Sequence, residues 1–308
     1  MSHIEDLYFV DPTYQTQQQA AQLIADVGAL TKAPTPERFH FFVEQLAIYG
    51  MSEQLEHLCA VSADVLTASR ALRQFADQYR RFLDQCAKHL GSDFHSRTNL
   101  RLLSDVPQLV RRGQASDCLI IVVPTLYNNA MISLPLLDLF LEALGLDALY
   151  LKATHSKIGH YDGFYGFGSD ADEVAEGLAT FAKARGYGRV SLLGASSGGF
   201  SALWLGAKLE AERVCVYGSD ITPTMRSKLL SHKRLIRQST EADITMLADL
   251  DRIGHIHAYA GSLRSRDMEC LTQLEGRENV TGRMVMGVGH MVLMKLISEG
   301  YRFEELAD

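Results

Sequence analysis

The sequence predicts an α/β fold in which a mostly parallel sheet carries helices on both faces and follows an all-helical N-terminal region. From about Ser96 onward, short apolar runs rich in β-branched residues alternate with helical patterns, as expected of a parallel sheet covered on both sides. The preceding residues have helical periodicity and almost no strand signal. The length of 308 residues allows two modest domains or one large domain with an appendage. We therefore predict a helical region over residues 1–92 and an α/β domain over residues 93–308.

The N-terminal region carries several helix start and stop signals. The apolar residues that fall on one face of its first helix are Leu23, Ile24, Val27 and Leu30. Thr35 is placed to cap a second helix that begins with Pro36 and that Gly50 ends. A longer helical stretch, continuous or interrupted, covers residues 52–90 and stops at Gly91.

Six apolar runs in the second part of the chain are expected to form strands. They cover residues 118–123, 148–151, 190–193, 213–217, 255–259 and 283–286. Continuous apolar runs of this kind are typical of strands that are buried on both faces. Between the second and third runs, Ser169 with Asp172 three residues later forms a capping-box pattern, and the helix that it opens is expected to end near Gly186.

The composition argues against several classes of function. With 37 acidic and 30 basic residues the formal net charge is -7, which would repel nucleic acids and anionic membranes. The five cysteines are scattered and form no CxxC pair, so we expect neither a disulfide framework nor a zinc cluster. The longest apolar stretch, residues 131–151, contains three carboxylates, which argues against a membrane span.

The first residues lack an export signal, and we therefore expect a cytoplasmic protein. No cofactor, metal or nucleic-acid partner is expected, and the sequence leaves the oligomeric state open.

A candidate nucleophile stands in the pentad Gly194-Ala195-Ser196-Ser197-Gly198. The pentad follows a strand-like run and precedes a helix-like one, which is the strand-turn-helix setting that a GxSxG nucleophile turn requires. Glycines two residues away on each side let strand and helix approach closely while the serine projects from the sheet. We predict Ser196 as the nucleophile, and Ser197 is the alternative.

A serine nucleophile needs a base and an acid, and the expected chain order is serine, acid, histidine. His290 follows the last predicted strand in a glycine-flanked loop and is the candidate base. Asp267 follows the preceding strand and is the candidate acid, although it could instead be a simple helix N-terminal aspartate. Asp220, which follows the strand at 213–217, is the alternative acid.

With these residues in this order, residues from about 96 to 308 resemble the α/β-hydrolase superfamily. The turn at Ser196, the segment 123–135 and the late Asp267 and His290 look like a bacterial esterase-like branch. The resemblance implies an α/β-hydrolase sheet and activity as a glycan O-acetyl esterase or acetyltransferase. It does not extend to the helical first ninety residues.

The sequence departs from the usual superfamily pattern after the first central strand. There Thr125-Leu126 replaces the common His-Gly pair. The backbone N–H groups of Ser197 and of Leu126 are the candidate oxyanion donors.

Other polar and aromatic residues are candidates for a substrate pocket. Tyr127, His160 and Tyr161 are placed where substrates enter such sheets. The aromatic loop 160–168 could be a lid or pocket wall, or could simply cover the sheet edge. A basic run at 231–237 is best interpreted as a solvated helix face.

The pair His255 and His257 has the spacing of a two-histidine metal site, but no third ligand is evident.

Together these features predict a serine-dependent hydrolase of acyl esters or thioesters that acts on a small-molecule or glycan ester. An acyltransferase onto a sugar hydroxyl is the first alternative. A catalytically silent hydrolase-like scaffold, which binds a partner protein through its N-terminal helices, is the second.

Overall fold

The structure is a computed structural model that describes residues 21–48, 51–103, 106–112, 117–125, 129–152, 163–219 and 249–306. Within these ranges seven strands form one sheet in the order β1-β3-β2-β4-β5-β6-β7, and only β1 is antiparallel to its neighbour. The strands are β1 Gln108–Val110, β2 Cys118–Val123, β3 Asp147–Tyr150, β4 Arg189–Ala195, β5 Arg213–Tyr217, β6 His255–Gly261 and β7 Val280–Val285. The predicted mostly parallel α/β fold is confirmed.

Helices precede the sheet and connect its strands. Helix α1 is described over residues 21–28. The others are α2 Pro36–Ile48, α3 Ser52–Val61, α4 Ala63–Ala68, α5 Arg70–Leu90, α6 Leu134–Ala143, α7 Ala171–Ala184, α8 Ser197–Lys208, α9 Ser265–Leu274 and α10 Val292–Ser298. Short 3₁₀ turns lie at Phe94–Arg97, Leu100–Leu103, Leu250–Arg252 and Glu304–Leu306. None of the helices in the described ranges combines the length and the apolar character needed to cross a bilayer.

The central strands are buried on both faces, as their continuous apolar sequences predict. All six residues of β2 are buried, and it lies between β3 and β4 in parallel register. The edge strand β7 is mostly exposed and begins at Val280, three residues before the predicted start. The apolar pattern missed this start because Thr281 and Gly282 interrupt it. Strand β1 was not predicted, since three half-buried residues give no periodic signal.

Two hydrophobic cores cover the two faces of the sheet. One face packs against α7, α8 and α9. The other face packs against α6 and α10, and the N-terminal helices contribute to the same core through buried residues such as Phe39, Phe82 and Leu90. Helix α5 packs directly against α10. The N-terminal helices and the sheet therefore share one apolar interior, and a domain boundary at residue 92 stays a prediction.

The helix boundaries agree with most of the sequence signals. Helix α2 begins at Pro36, and the backbone N–H of Arg38 donates to Thr35 Oγ1 at 3.4 Å. The long helical stretch is interrupted at Ser62 and at Ser69, whose side chain caps α5. That helix ends at Gly91, which has a φ of 95°.

Two details of the helix prediction are wrong. Ile24 is 41% exposed while Leu23 and Val27 are buried, because the apolar face of α1 is narrower than the pattern indicates. The cap of α7 is Asp170 rather than Ser169, since the Asp170 carboxylate accepts the backbone N–H groups of Asp172 and Glu173.

Candidate active site

Ser196 lies in a sharp turn between β4 and α8. Its backbone has a φ of 52° and a ψ of -125°, and this positive φ is unfavourable for any residue with a side chain. Such strain is kept only where surrounding contacts impose it, and it is concentrated at functional sites. The turn leaves the Ser196 hydroxyl at the carboxyl end of a central strand.

The two glycines of the pentad allow this turn. A Cβ on Gly194 would lie 2.4 Å from the carbonyl oxygen of Gly198. A Cβ on Gly198 would lie 2.4 Å from the carbonyl oxygen of Val123 and 2.5 Å from that of Pro124. The nucleophile turn is therefore packed against the end of β2 at distances that only glycine permits.

The structure brings the three predicted catalytic side chains together. His290 Nε2 lies 2.7 Å from Ser196 Oγ, and His290 Nδ1 lies 3.1 Å from Asp267 Oδ2. The Asp267 side chain is 0% exposed and that of His290 is 23% exposed. With Nδ1 protonated and donating to the buried carboxylate, Nε2 is an acceptor that points at the serine hydroxyl.

Arg264 is a charged neighbour of this site that the sequence analysis missed. Its Nε lies 3.1 Å from Asp267 Oδ1, and its side chain is 33% exposed. It directly precedes α9, and Asp267 stands in the first turn of that helix. The sequence feature that could have indicated this pair is the spacing of three residues between the two opposite charges. That spacing places both side chains on the same side of the first helical turn.

The end of β5 packs behind the acid and the base. Gly218 has a φ of 52°, and a Cβ there would lie 3.0 Å from the His290 carbonyl oxygen and 3.1 Å from Asp267 Oδ2. The same Cβ would lie 2.7 Å from the terminal methyl of Met131. Gly218, the residue after β5, thus lies close to Asp267, to His290 and to Met131 of the segment after β2.

The segment after β2 is held by Asn129, another residue that the sequence analysis missed. The Asn129 side-chain oxygen accepts from Thr125 Oγ1 at 2.9 Å and from the Met131 backbone N–H at 3.1 Å. The Thr125 backbone N–H donates to the Asn129 carbonyl at 2.7 Å. These bonds hold Met131 at a φ of 64°, a second strained backbone, whose side chain approaches Gly218.

Of the predicted oxyanion donors, only Ser197 lies in the described ranges. It begins α8, so its backbone N–H belongs to the helix N-terminus, where partial positive charge favours an anion. Leu126 lies outside the described residues. So do Tyr127, His160 and Tyr161 of the predicted pocket, the alternative acid Asp220, and the basic run 231–237.

Part of the aromatic loop is described. Phe164 and Phe167 are buried in the core on the α7 face, and the rings of Phe167 and Phe181 are 5.5 Å apart. Tyr165 is 48% exposed. The two phenylalanines therefore cover the sheet, as in the simpler of the two interpretations.

His255 and His257 lie side by side on β6 with ring centres 4.5 Å apart. His255 Nε2 lies 2.9 Å from Thr281 Oγ1, and burial lowers the pKa of His257. Among the described residues, no group of three or more potential ligands could hold a metal ion.

Comparison with solved structures decides the fold. Est1E from Butyrivibrio proteoclasticus, solved with ferulic acid bound, superposes with a TM-score of 0.50 at 14% identity, covering 65% of this chain and 93% of that one. The chain therefore has the α/β-hydrolase fold. The α/β-hydrolase sheet places Ser196 after a central strand with helices on both faces.

Two further α/β-hydrolase comparisons have lower scores. An S-formylglutathione hydrolase from Agrobacterium tumefaciens is 13% identical, with 68% of this chain and 87% of that one covered and a TM-score of 0.45. An α/β hydrolase from the metagenome of lagoon sediments of Mar Chica, Morocco, is 17% identical, with 63% and 90% covered and a TM-score of 0.43. No family model and no curated protein matches the sequence.

Proposed function

We propose that this α/β-hydrolase is a serine enzyme that hydrolyses carboxylic esters or thioesters through an acyl-enzyme intermediate. The observation that carries the proposal is the hydrogen-bonded series from Asp267 through His290 to Ser196, with the serine at a strained turn. A serine hydroxyl is a poor nucleophile unless a base accepts its proton in the attack. The Nε2 atom at 2.7 Å has the position that this transfer needs.

The proposed reaction has two stages. Ser196 Oγ attacks the carbonyl carbon of the substrate while His290 Nε2 accepts the hydroxyl proton. The same proton then passes from Nε2 to the leaving alcohol or thiol as its bond to the acyl carbon breaks. In the second stage a water molecule attacks the acyl carbon and gives one proton to Nε2. That proton then passes from Nε2 to Ser196 Oγ as the bond between Oγ and the acyl carbon breaks, which releases the acid and restores Ser196.

Two other groups complete the proposed chemistry. The buried Asp267 carboxylate orients the imidazole and stabilises its positive charge after proton transfer. The backbone N–H groups of Ser197 and Leu126 are the proposed donors to the oxyanion. Removal of one such donor typically reduces kcat by about 100-fold to 1,000-fold.

The test uses a fluorophosphonate probe and a panel of nitrophenyl esters with wild-type protein, Ser196→Ala and its neighbour Ser197→Ala. We expect the probe to label the wild type and Ser197→Ala, and to leave Ser196→Ala unlabelled with no measurable hydrolysis. Circular dichroism checks that all three proteins are folded.

Two results would contradict the proposal. Labelling of Ser196→Ala at the wild-type rate would remove Ser196 from the mechanism. A folded wild-type protein that neither reacts with the probe nor hydrolyses any ester of the panel would instead be the silent scaffold.

A further inference from the structure

The Asp267 carboxylate is in an unusual environment for an ionised group. Its side chain is 0% exposed. One oxygen, Oδ2, faces His290 Nδ1, and the other, Oδ1, accepts no hydrogen bond from any residue in the described ranges. A buried carboxylate costs several kcal/mol, roughly, unless a charge of opposite sign compensates it. In the proposed mechanism Nε2 must be free to accept the serine proton, so the compensating charge has to come from a residue other than His290.

Arg264 supplies the opposite charge. Its Nε lies 3.1 Å from Oδ1, on the carboxylate oxygen that His290 does not use. The Arg264 side chain is about one third exposed, so part of the guanidinium stays in contact with water while Nε lies beside the buried oxygen. Asp267 is thus held between a permanent cation on one side and the imidazole on the other.

The backbone that carries Arg264 is fixed to the histidine loop. The Leu263 N–H donates to the Val288 carbonyl at 3.0 Å, and the Arg264 N–H donates to the Gly261 carbonyl at 3.2 Å. A Cβ on Gly261 would lie only 1.8 Å from the Gly289 carbonyl oxygen, so the turn after β6 and the loop before His290 are in direct contact. Arg264 and His290 therefore hold fixed positions relative to each other.

An ordinary surface ion pair would not justify a role for Arg264. Such pairs contribute roughly 0–1 kcal/mol because water screens both charges. Here one partner is completely buried, and loss of the other would leave an uncompensated charge in the interior. The carboxylate would then rotate toward solvent, and this rotation weakens its hydrogen bond to His290 Nδ1.

We propose that Arg264 is a positioning residue that acts through Asp267: its charge compensates the buried carboxylate and keeps it directed at His290. This inference rests on the proposed serine mechanism, in which Asp267 orients the imidazole. Arg264 itself contacts neither the serine nor the reacting carbonyl. Its effect on catalysis therefore depends on the presence of the Asp267 charge.

A double-mutant cycle tests this dependence. Arg264→Gln, Asp267→Asn and the double variant are compared with wild type for hydrolysis of a nitrophenyl ester and for the rate of fluorophosphonate labelling. We expect Arg264→Gln to lower kcat and the labelling rate by about tenfold with KM nearly unchanged, the loss of ~1.4 kcal/mol of stabilisation. In the Asp267→Asn background the same substitution should change either rate by less than about twofold, because no charge is left to compensate.

Two control variants separate charge from fold. Arg264→Lys keeps the cation and should recover most of the activity that Arg264→Gln loses. Arg277 follows α9 and pairs with the exposed Asp251. Arg277→Gln should leave both rates unchanged. Thermal melting of each variant checks that the fold is kept.

Two outcomes would overturn the inference. An equal loss from Arg264→Gln with and without the Asp267 charge would mean that Arg264 supports the fold alone. A rise in KM with unchanged kcat would mean that it binds substrate. Ser196→Ala, assayed in parallel, separates the two proposals. If this variant keeps wild-type activity, the serine mechanism is wrong. If it is inactive while the effects of the Arg264 and Asp267 substitutions are additive, only the proposed role of Arg264 is wrong.

Discussion

The nucleophile turn and the acid-base side of the site are built in different ways. The segment that carries Ser196 is contiguous in sequence, since β4, the two flanking glycines and α8 follow one another, and it packs on the end of β2. Asp267 and His290 come from separate segments that meet only because β6 pairs with β5 and with β7. The loop of His290 leads directly into α10, which packs on α5. Local sequence therefore specifies the nucleophile, whereas distant packing specifies the groups that activate it.

The largest loss of activity is expected when the helices that pack behind the His290 segment are removed. Deleting residues 1–92 takes away α5 and exposes the apolar residues of α6 and α10 that it covers. We expect fragment 93–308 to aggregate or to be inactive, as measured by size-exclusion chromatography and ester hydrolysis against the full chain. A soluble fragment with unchanged kinetics on a small ester would show that the helices are an independent module.

A smaller change tests which carboxylate serves the histidine. Asp267→Asn keeps the shape of the side chain but cannot stabilise the imidazole tautomer that accepts the serine proton, so turnover should fall by about 10,000-fold. Asp220→Asn is the matched control and should retain turnover within about tenfold of wild type. If the Asp220 variant is the crippled one, the acid follows β5 instead.

The nucleophile side should respond to a single methyl group. Gly198→Ala places a Cβ against two backbone oxygens, which cannot move without shifting the end of β2. We expect kcat/KM to fall by about 100-fold because Ser196 is displaced relative to His290. Gly188→Ala is the control, since its Cβ would meet nothing within 4 Å. Equal activity of both variants would contradict the close packing of this turn.

A weaker effect is expected at Asn129. Asn129→Ala removes the acceptor for Thr125 Oγ1 and for the Met131 N–H, so the strained segment after β2 can relax. We expect kcat to fall by about tenfold and unfolding free energy by about 1–2 kcal/mol. Asn99→Ala should change neither, because the bond from Leu102 goes to the Asn99 backbone carbonyl, which alanine keeps. Unaltered kcat in Asn129→Ala would show that the segment holds its position without this side chain.

The smallest expected difference lies in α1, between two adjacent residues. Leu23 is 7% exposed and Ile24 is 41% exposed. Leu23→Ala should lower the free energy of unfolding by about 2 kcal/mol, and Ile24→Ala by less than about 0.5 kcal/mol. Urea denaturation measures both values. Equal losses of unfolding free energy would show that the apolar face of α1 is as broad as the sequence pattern indicates.

A feature that depends on neighbouring residues could be predicted from the sequence, whereas one that depends on distant residues could not. Strands β2 to β7 and the turn at Ser196 were predictable because runs of apolar residues and a glycine pattern are local signals. The choice between Asp267 and Asp220 was not, since both follow a strand and both keep the order serine, acid, histidine. The hydrogen bond at 3.1 Å to His290 Nδ1 favours Asp267.

The supporting residues could not be predicted for related reasons. Asn129 and Met131 act through a strained backbone, which no composition signal reports. Arg264 resembles any charge at a helix start until the burial of Asp267 is known. Strand β1 exists because it pairs with β3, and its own three residues carry no strand pattern.

The packing of α5 on α10 also determines the order in which parts of the chain can fold. During synthesis α5 leaves the ribosome before any strand of the sheet, whereas α10 is made after all of the described strands. The apolar face of α5 must therefore wait for a partner that is distant in sequence, and contacts of this kind form slowly. A nascent chain that ends before α10 can already hold the nucleophile turn, yet its histidine loop has no anchor. Activity of the proposed serine site should thus appear only when synthesis has passed α10.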